Sequence, residues 1–109
     1  MILLSIIIPV YKVEKYIEKC LSSIFSNNID LSLYEVILVN DGTPDKSMSI
    51  VEAYSTKYSN LKIINQANQG LSMARNNGIA MAKGQYVWCV DSDDWISHDC
   101  LNLIIKHIH

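Results

Sequence analysis

The sequence has no surplus of charge of either sign. Nine Lys and Arg stand against eleven Asp and Glu, a formal net charge of −2 over 109 residues. A basic footprint for nucleic acid is therefore missing. No hydrophobic run is long enough to span a bilayer: the apolar opening MILLSIIIPV ends at Pro9 and Lys12 follows. That opening also lacks the basic start and small-residue cleavage site of a signal peptide, which leaves a buried first strand. The three cysteines, Cys20, Cys89 and Cys100, show no CxxC spacing, and their odd number argues against a disulfide framework. Reduced, packed thiols in a cytosolic protein fit best. His98, His107 and His109 give no convincing ligand set. No GxGxxG follows a strand, as a dinucleotide-binding oxidoreductase would require. A phospho-receiver domain would need an acidic pair after the first strand, where this chain has Pro-Val-Tyr-Lys. With no repeat, low-complexity tract or linker, residues 1–109 read as one domain.

What is present is a soluble, globular composition, half hydrophobic and 18% charged. LLSIIIP (3–9) is a continuous apolar run suited to a strand covered on both faces. Val13, Tyr16, Ile17, Cys20, Leu21 and Ile24 recur at helical spacing with charged residues between them. EVILVN (35–40) predicts a second buried strand. Thr43-Pro44 reads as the cap and first position of a helix whose face is Met48, Val51, Tyr54 and Tyr58. LKIIN (61–65) predicts a third strand nearer an edge. Residues 72–83 predict a helix with a small inner face, Ala74, Gly78 and Ala82, and with Ser72 as its cap. YVWCV (86–90) reads as a fourth buried strand, and Ser97 as the cap of a last helix bearing Leu101, Ile104, Ile105 and Ile108. Strands alternating with helices imply an α/β fold: a parallel sheet of about four strands, helices on both faces, right-handed crossovers.

Such folds bind ligands outside the carboxyl ends of their strands. Pro9-Val10-Tyr11, Asp41, the Asn68–Arg75 segment and the Asp91–Asp94 cluster all fall on that edge. In an extended chain, Asp91 and Asp93 point the same way, with Asp94 opposed or opening a turn. Converging carboxylates suit a hard divalent cation, Mg²⁺ or Mn²⁺; capping of turns and helices accounts for a lone DSDD equally well. Gly70 precedes a helix start whose free N–H groups suit an anion. Arg75, one turn in, can offer bidentate bonds to phosphate or a base. Asp41 in VNDGT suits the N–H edge of a nucleobase or an Asx-turn. Tyr11 suits stacking on a base or a place in the core.

Together, SIIIPVYKVEKYIEKCLSSI, VILVNDGTPDKS and NQGLSMARNNGIAMAKGQYVWCVDSDDW resemble the first half of a family 2 glycosyltransferase of the GT-A fold, from about Leu4 to Trp95. The resemblance implies a Rossmann-like nucleotide-sugar-binding half with a donor site. Pro9, Val10 and Tyr11 would contact the base and Asp41 would read it. Arg75 would lie near base and phosphate, Asp91 near the ribose and Asp93 on the metal, with Asp91 and Asp94 as further candidates for that ion. The implied cofactor is Mn²⁺ or Mg²⁺. The implied donor is a nucleotide sugar, UDP-linked by preference, and the implied reaction is inverting transfer to a hydroxyl of a glycan or lipid-linked acceptor in polysaccharide assembly. Lys12 stands where the family commonly has Asn, and Asn40 where it has a first Asp; Asp41 is retained. Family members continue well past this length, and their later half supplies the general base. The sequence is therefore expected to be a truncated form, with a non-catalytic binding remnant as the alternative. Its apolar last helix suggests self-association. Its expected place is the cytoplasm, with peripheral contact at the inner membrane face if the acceptor is lipid-linked.

Overall fold

The structure is a computed structural model describing residues 1–97 and 99–108; His98 and His109 lie outside the described residues. Four strands, β1 (Leu4–Val10), β2 (Tyr34–Asn40), β3 (Leu61–Asn65) and β4 (Tyr86–Cys89), alternate with four helices, α1 (Ile17–Phe25), α2 (Ser47–Lys57), α3 (Leu71–Met81) and α4 (Cys100–Ile108). All strand pairs are parallel, in the order β3-β2-β1-β4. β1 lies inside the sheet, and all seven of its residues are buried.

Strand alternation sorts the core into two layers. Leu4, Ile6, Ile8 and Val10 face the larger one, with Ile17, Leu21 and Ile24 of α1, Val51 of α2 and Leu101 and Ile105 of α4. Burying each such aliphatic side chain is worth about 1.5–3 kcal/mol. Ile7, Ile37 and Val39 point the other way, onto Ala74 of α3. A Cβ on Gly78 would lie 2.5 Å from Ile7 Cγ2, so glycine there lets α3 lie directly on the sheet. The same face holds a polar latch. Buried Glu35 accepts from Ser5 Oγ (2.6 Å), Lys62 Nζ (2.9 Å) and the Lys83 N–H (2.7 Å), tying the chain after α3 to β1, β2 and β3. Burial would raise the Glu35 pKa, but these bonds and the Lys62 charge hold it below the ordinary glutamate value.

This strand order has a consequence for function. The chain steps outward from β1 to β2 to β3, then returns across the sheet to β4. Keeping crossovers right-handed through that reversal requires the returning helix on the opposite face, and α3 is the helix found there. The reversal leaves a crevice between the carboxyl ends of β1 and β4.

Several expected details differ. Thr43 and Pro44 precede α2, whose first residue is Ser47 and whose N-cap is Lys46, because the Thr43 hydroxyl is engaged by the Lys12 N–H and Asp45. Ser72 is inside α3; Gly70 is the N-cap and no side chain caps that helix. α1 starts at Ile17, because Val13 C=O accepts from the N–H groups of Tyr16 and Ile17 in a preceding turn. Ser97 serves α4 through its backbone, its C=O accepting the Cys100 N–H at 3.1 Å. β4 stops at Cys89 and is an edge strand, with Tyr86 51% and Val87 44% exposed. Its apolar run reads as buried, yet among the described residues no strand pairs with its outer side.

Candidate functional site

The loops after all four strands meet at the carboxyl edge. The β1–α1 loop is held by the β2–α2 loop through three consecutive N–H groups. Lys12 donates to Thr43 Oγ1 (2.8 Å), Val13 to Ser47 Oγ (3.1 Å) and Glu14 to Asp45 Oδ2 (3.2 Å). Asp45 Oδ1 also accepts from Thr43 Oγ1 (2.7 Å) and the Ser47 N–H (3.1 Å). Burial alone would raise the Asp45 pKa; the Ser47, Thr43 and Glu14 donors outweigh it and hold the carboxyl at about 2. Sequence reasoning missed this network. The signal was Thr43-x-Asp45-x-Ser47, whose three short polar side chains stand at alternate positions.

Among the described residues Lys12 is the sole non-glycine with positive φ, at 54°. Asn tolerates that left-handed region better than Lys. The Lys12 ammonium lies 5.3 Å from the Tyr11 ring centroid.

Asp41 is 2% exposed. Its Oδ1 accepts from Gln66 Nε2 (2.7 Å) and the Gln69 N–H (2.8 Å), and Oδ2 from the Gly70 N–H (3.1 Å). A φ of 98° at Gly70 accompanies this arrangement, a backbone state glycine adopts without steric cost. Burial opposes ionisation of Asp41, but the donors prevail and lower its pKa. In this conformation its carboxylate organises the β3–α3 loop from behind the site.

β4 ends before the acids, and Asp94 N–H donates to Asp91 C=O at 3.0 Å. The chain therefore turns instead of staying extended, which brings three carboxylates together instead of two. Asp91, Asp93 and Asp94, all exposed, each place one oxygen within 4.8 Å of the others. Arg75 Nη2 pairs with Asp91 Oδ1 at 3.1 Å. Exposed, hard oxygen donors at this spacing match the preference of Mg²⁺ or Mn²⁺ for one or two carboxylates plus water and phosphate. The donor set fits such an ion.

A cavity of about 380 Å³ opens between these loops. Pro9, Tyr11, Arg75, Asp91 and Asp93 line it, joined by Lys12, Tyr16, Leu71 and Ser92. Five expected site residues thus share one cavity. Val10 does not: its side chain is fully buried, and its C=O accepts the Asp41 N–H at 3.0 Å. Asp41 is not on the wall, and Asp94 joins only through the acidic triad. A second cavity of about 400 Å³, between Lys15, Pro44 and Asp45, shares Lys12 and Tyr16 with the first.

The sequence profile of Glycosyl transferase family 2 matches residues 5–109. The chain belongs to this family. It is 50% identical over 95 residues to the glycosyltransferase EpsJ of Bacillus subtilis, covering 87% of this chain and 27% of EpsJ. It is 38% identical over 108 residues to the minor teichoic acid biosynthesis protein GgaB of the same organism, covering 94% of this chain and 12% of GgaB. The crystal structure of S. aureus TarS 1–349 in complex with UDP-GlcNAc superposes with a TM-score of 0.91 at 35% identity, over 98% of this chain and 31% of that one. The family 2 chain thus has the GT-A fold, and it spans under a third of the length of each of these relatives.

Proposed function

We propose that this chain forms the donor side of a glycosyltransferase that takes a sugar from a nucleoside diphosphate, UDP by preference, and passes it with inversion to an acceptor hydroxyl in polysaccharide or related glycan assembly. The observation that carries this reading is the convergence of Tyr11, Arg75, Asp91 and Asp93 on one cavity at the β1/β4 crevice. The UDP-GlcNAc complex of TarS supports the preference for UDP. The name of GgaB supports a cell-surface polymer as the product class.

In this reading Tyr11 packs against the base, with Pro9 and the backbone of Val10 shaping that wall. Asp41 reads the base edge through Oδ2, which holds a single protein hydrogen bond; the 66–70 loop yields to admit that contact. Arg75 exchanges part of its bond to Asp91 for the diphosphate, a change its partly exposed position permits. Asp91 orients the ribose, and Asp93 with Asp91 or Asp94 would hold Mn²⁺ or Mg²⁺. Such an ion, when bound, neutralises charge that builds on the departing nucleoside diphosphate. The acceptor hydroxyl requires a general base, which this reading places beyond residue 109. Among the described residues no helix is long and apolar enough to cross a membrane, and the free cysteines fit a cytoplasmic setting. Among the described residues the outer edge of β4 has no partner strand, which supports pairing with a second copy of the chain; sedimentation across concentration would show this as a rising mass.

Titration with UDP by calorimetry, with and without Mn²⁺, tests the donor site. Metal-dependent binding that Asp93→Ala abolishes is the expected result. Equal affinity in wild type and Asp93→Ala would refute the metal assignment. Binding without sugar transfer would favour a nucleotide-sugar-binding remnant.

A further inference from the structure

The three clustered carboxylates stand on a loop that follows an edge strand, so something must hold the loop in place. Besides the Arg75–Asp91 pair, the contacts come from one stretch of α1. Lys19 Nζ lies 3.4 Å from the centroid of the Trp95 ring. Cys20 Sγ lies 3.9 Å from the Asp91 C=O. Ser23 Oγ accepts the Ile96 N–H at 3.0 Å while donating to the Cys20 C=O at 2.7 Å. Positions 19, 20 and 23 share one face of a helix. They grip the acidic loop at its start, near its end and at the exposed aromatic between.

We infer that Lys19 and Ser23 are positioning residues for the carboxylates, bracketing the Asp91–Ile96 loop from α1 so that the acidic oxygens are gathered before a divalent cation arrives. This rests on the reading that the acids hold a cation, and it adds residues on α1 that touch neither cation nor nucleotide. Preorganisation is the physical reason. An unheld loop carrying three like charges would spread, and a cation would have to gather it at an entropic cost. Ser23 suits the task because its hydroxyl bonds in both directions, fixed to the helix on one side and to the loop on the other. Lys19 suits it because a cation over an indole face is held more strongly than over other rings.

The sign of the Lys19 effect separates positioning from bulk electrostatics. Removing a positive charge beside an acidic cluster should, by Coulomb attraction alone, tighten binding of a divalent cation. If Lys19 acts by holding Trp95, removing it should weaken binding.

The test is Mn²⁺ affinity of the 109-residue chain, read by electron paramagnetic resonance of free Mn²⁺, for wild type, Ser23→Ala, Ser23→Thr, Lys19→Met and Lys57→Met. Lys57→Met is the charge control, since Lys57 lies over Tyr58 away from the acids. Ser23→Ala should weaken Mn²⁺ about three- to tenfold, with Ser23→Thr recovering most of the loss. Lys19→Met should weaken it about two- to fivefold, while Lys57→Met leaves it unchanged. The far-ultraviolet circular dichroism spectrum should match wild type in all variants, which a general loss of structure would not allow. Wild-type affinity in Ser23→Ala, or tighter binding in Lys19→Met, would overturn the inference. Absence of Mn²⁺ binding in wild type would overturn the cation reading and this inference together, and wild-type binding distinguishes the two failures.

Discussion

Arg75 and Asp91 join the helix that crosses the back of the sheet to the loop after the edge strand, with Nη2 3.1 Å from Oδ1. The pair spans the crevice made by the reversal of strand order. It is about one-third exposed on the arginine side and more than half on the aspartate side, so solvent screens it. Ion pairs of that kind add about 0–1 kcal/mol to stability. Geometry, more than stability, is what the pair supplies.

Arg75→Met should therefore leave the folded state almost unchanged, within about 1 kcal/mol by denaturant titration. It should weaken UDP about tenfold, as expected for a lost charged hydrogen bond to phosphate. A variant that unfolds early yet binds UDP normally would assign Arg75 to the fold instead of the site.

Asp45 carries a pH dependence of determinate sign. Its folded pKa of about 2 lies below the ordinary 3.8. The stability it contributes is fully present above about pH 4 and is lost as pH falls toward 2. Asp45→Asn should cost about 1–2 kcal/mol at pH 7, as weakened hydrogen bonds to a charged acceptor do. The gap from wild type should close between pH 4 and pH 2. A gap independent of pH would place the acid sensitivity on another group.

Lys12 sits at φ 54°, where a side chain other than Gly, Asn or Asp is strained. Lys12→Asn should raise stability by about 0.5–1 kcal/mol, seen as a higher denaturant midpoint with the slope unchanged. The same change removes the ammonium from over Tyr11 and from the cavity wall, so UDP affinity should fall. A gain in both properties would leave the retained lysine without a role in the site.

Much of this was legible from residue order. Runs such as LSIIIPV and EVILVN are mostly apolar on both faces, as suits a strand covered on both sides. Ala74 and Gly78, a helical turn apart, announced a helix lying close to the sheet. Four polar segments each follow a strand and so fall on one edge, and Pro9, Tyr11, Arg75, Asp91 and Asp93 share a cavity there. These signals are local, because periodicity, turn chemistry and burial on both faces are properties of short stretches.

Other features depended on partners far apart in sequence. That β4 is an exposed edge follows from the order β3-β2-β1-β4, which its own apolar residues cannot reveal. Thr43 looked like a helix cap because Thr-Pro is a local signal; its hydroxyl instead accepts from Lys12, 31 residues away. Asp41 could be placed at a strand end from sequence alone, but not the donors 25 to 29 residues on that its carboxylate gathers. The aspartates could be placed at a strand end from sequence alone. That all three converge was decided by a turn after β4, with Ser23 of α1 holding the Ile96 N–H 73 residues away. Sequence determines such contacts only through the whole fold, because a hydrogen bond between distant segments forms only after many other residues have packed.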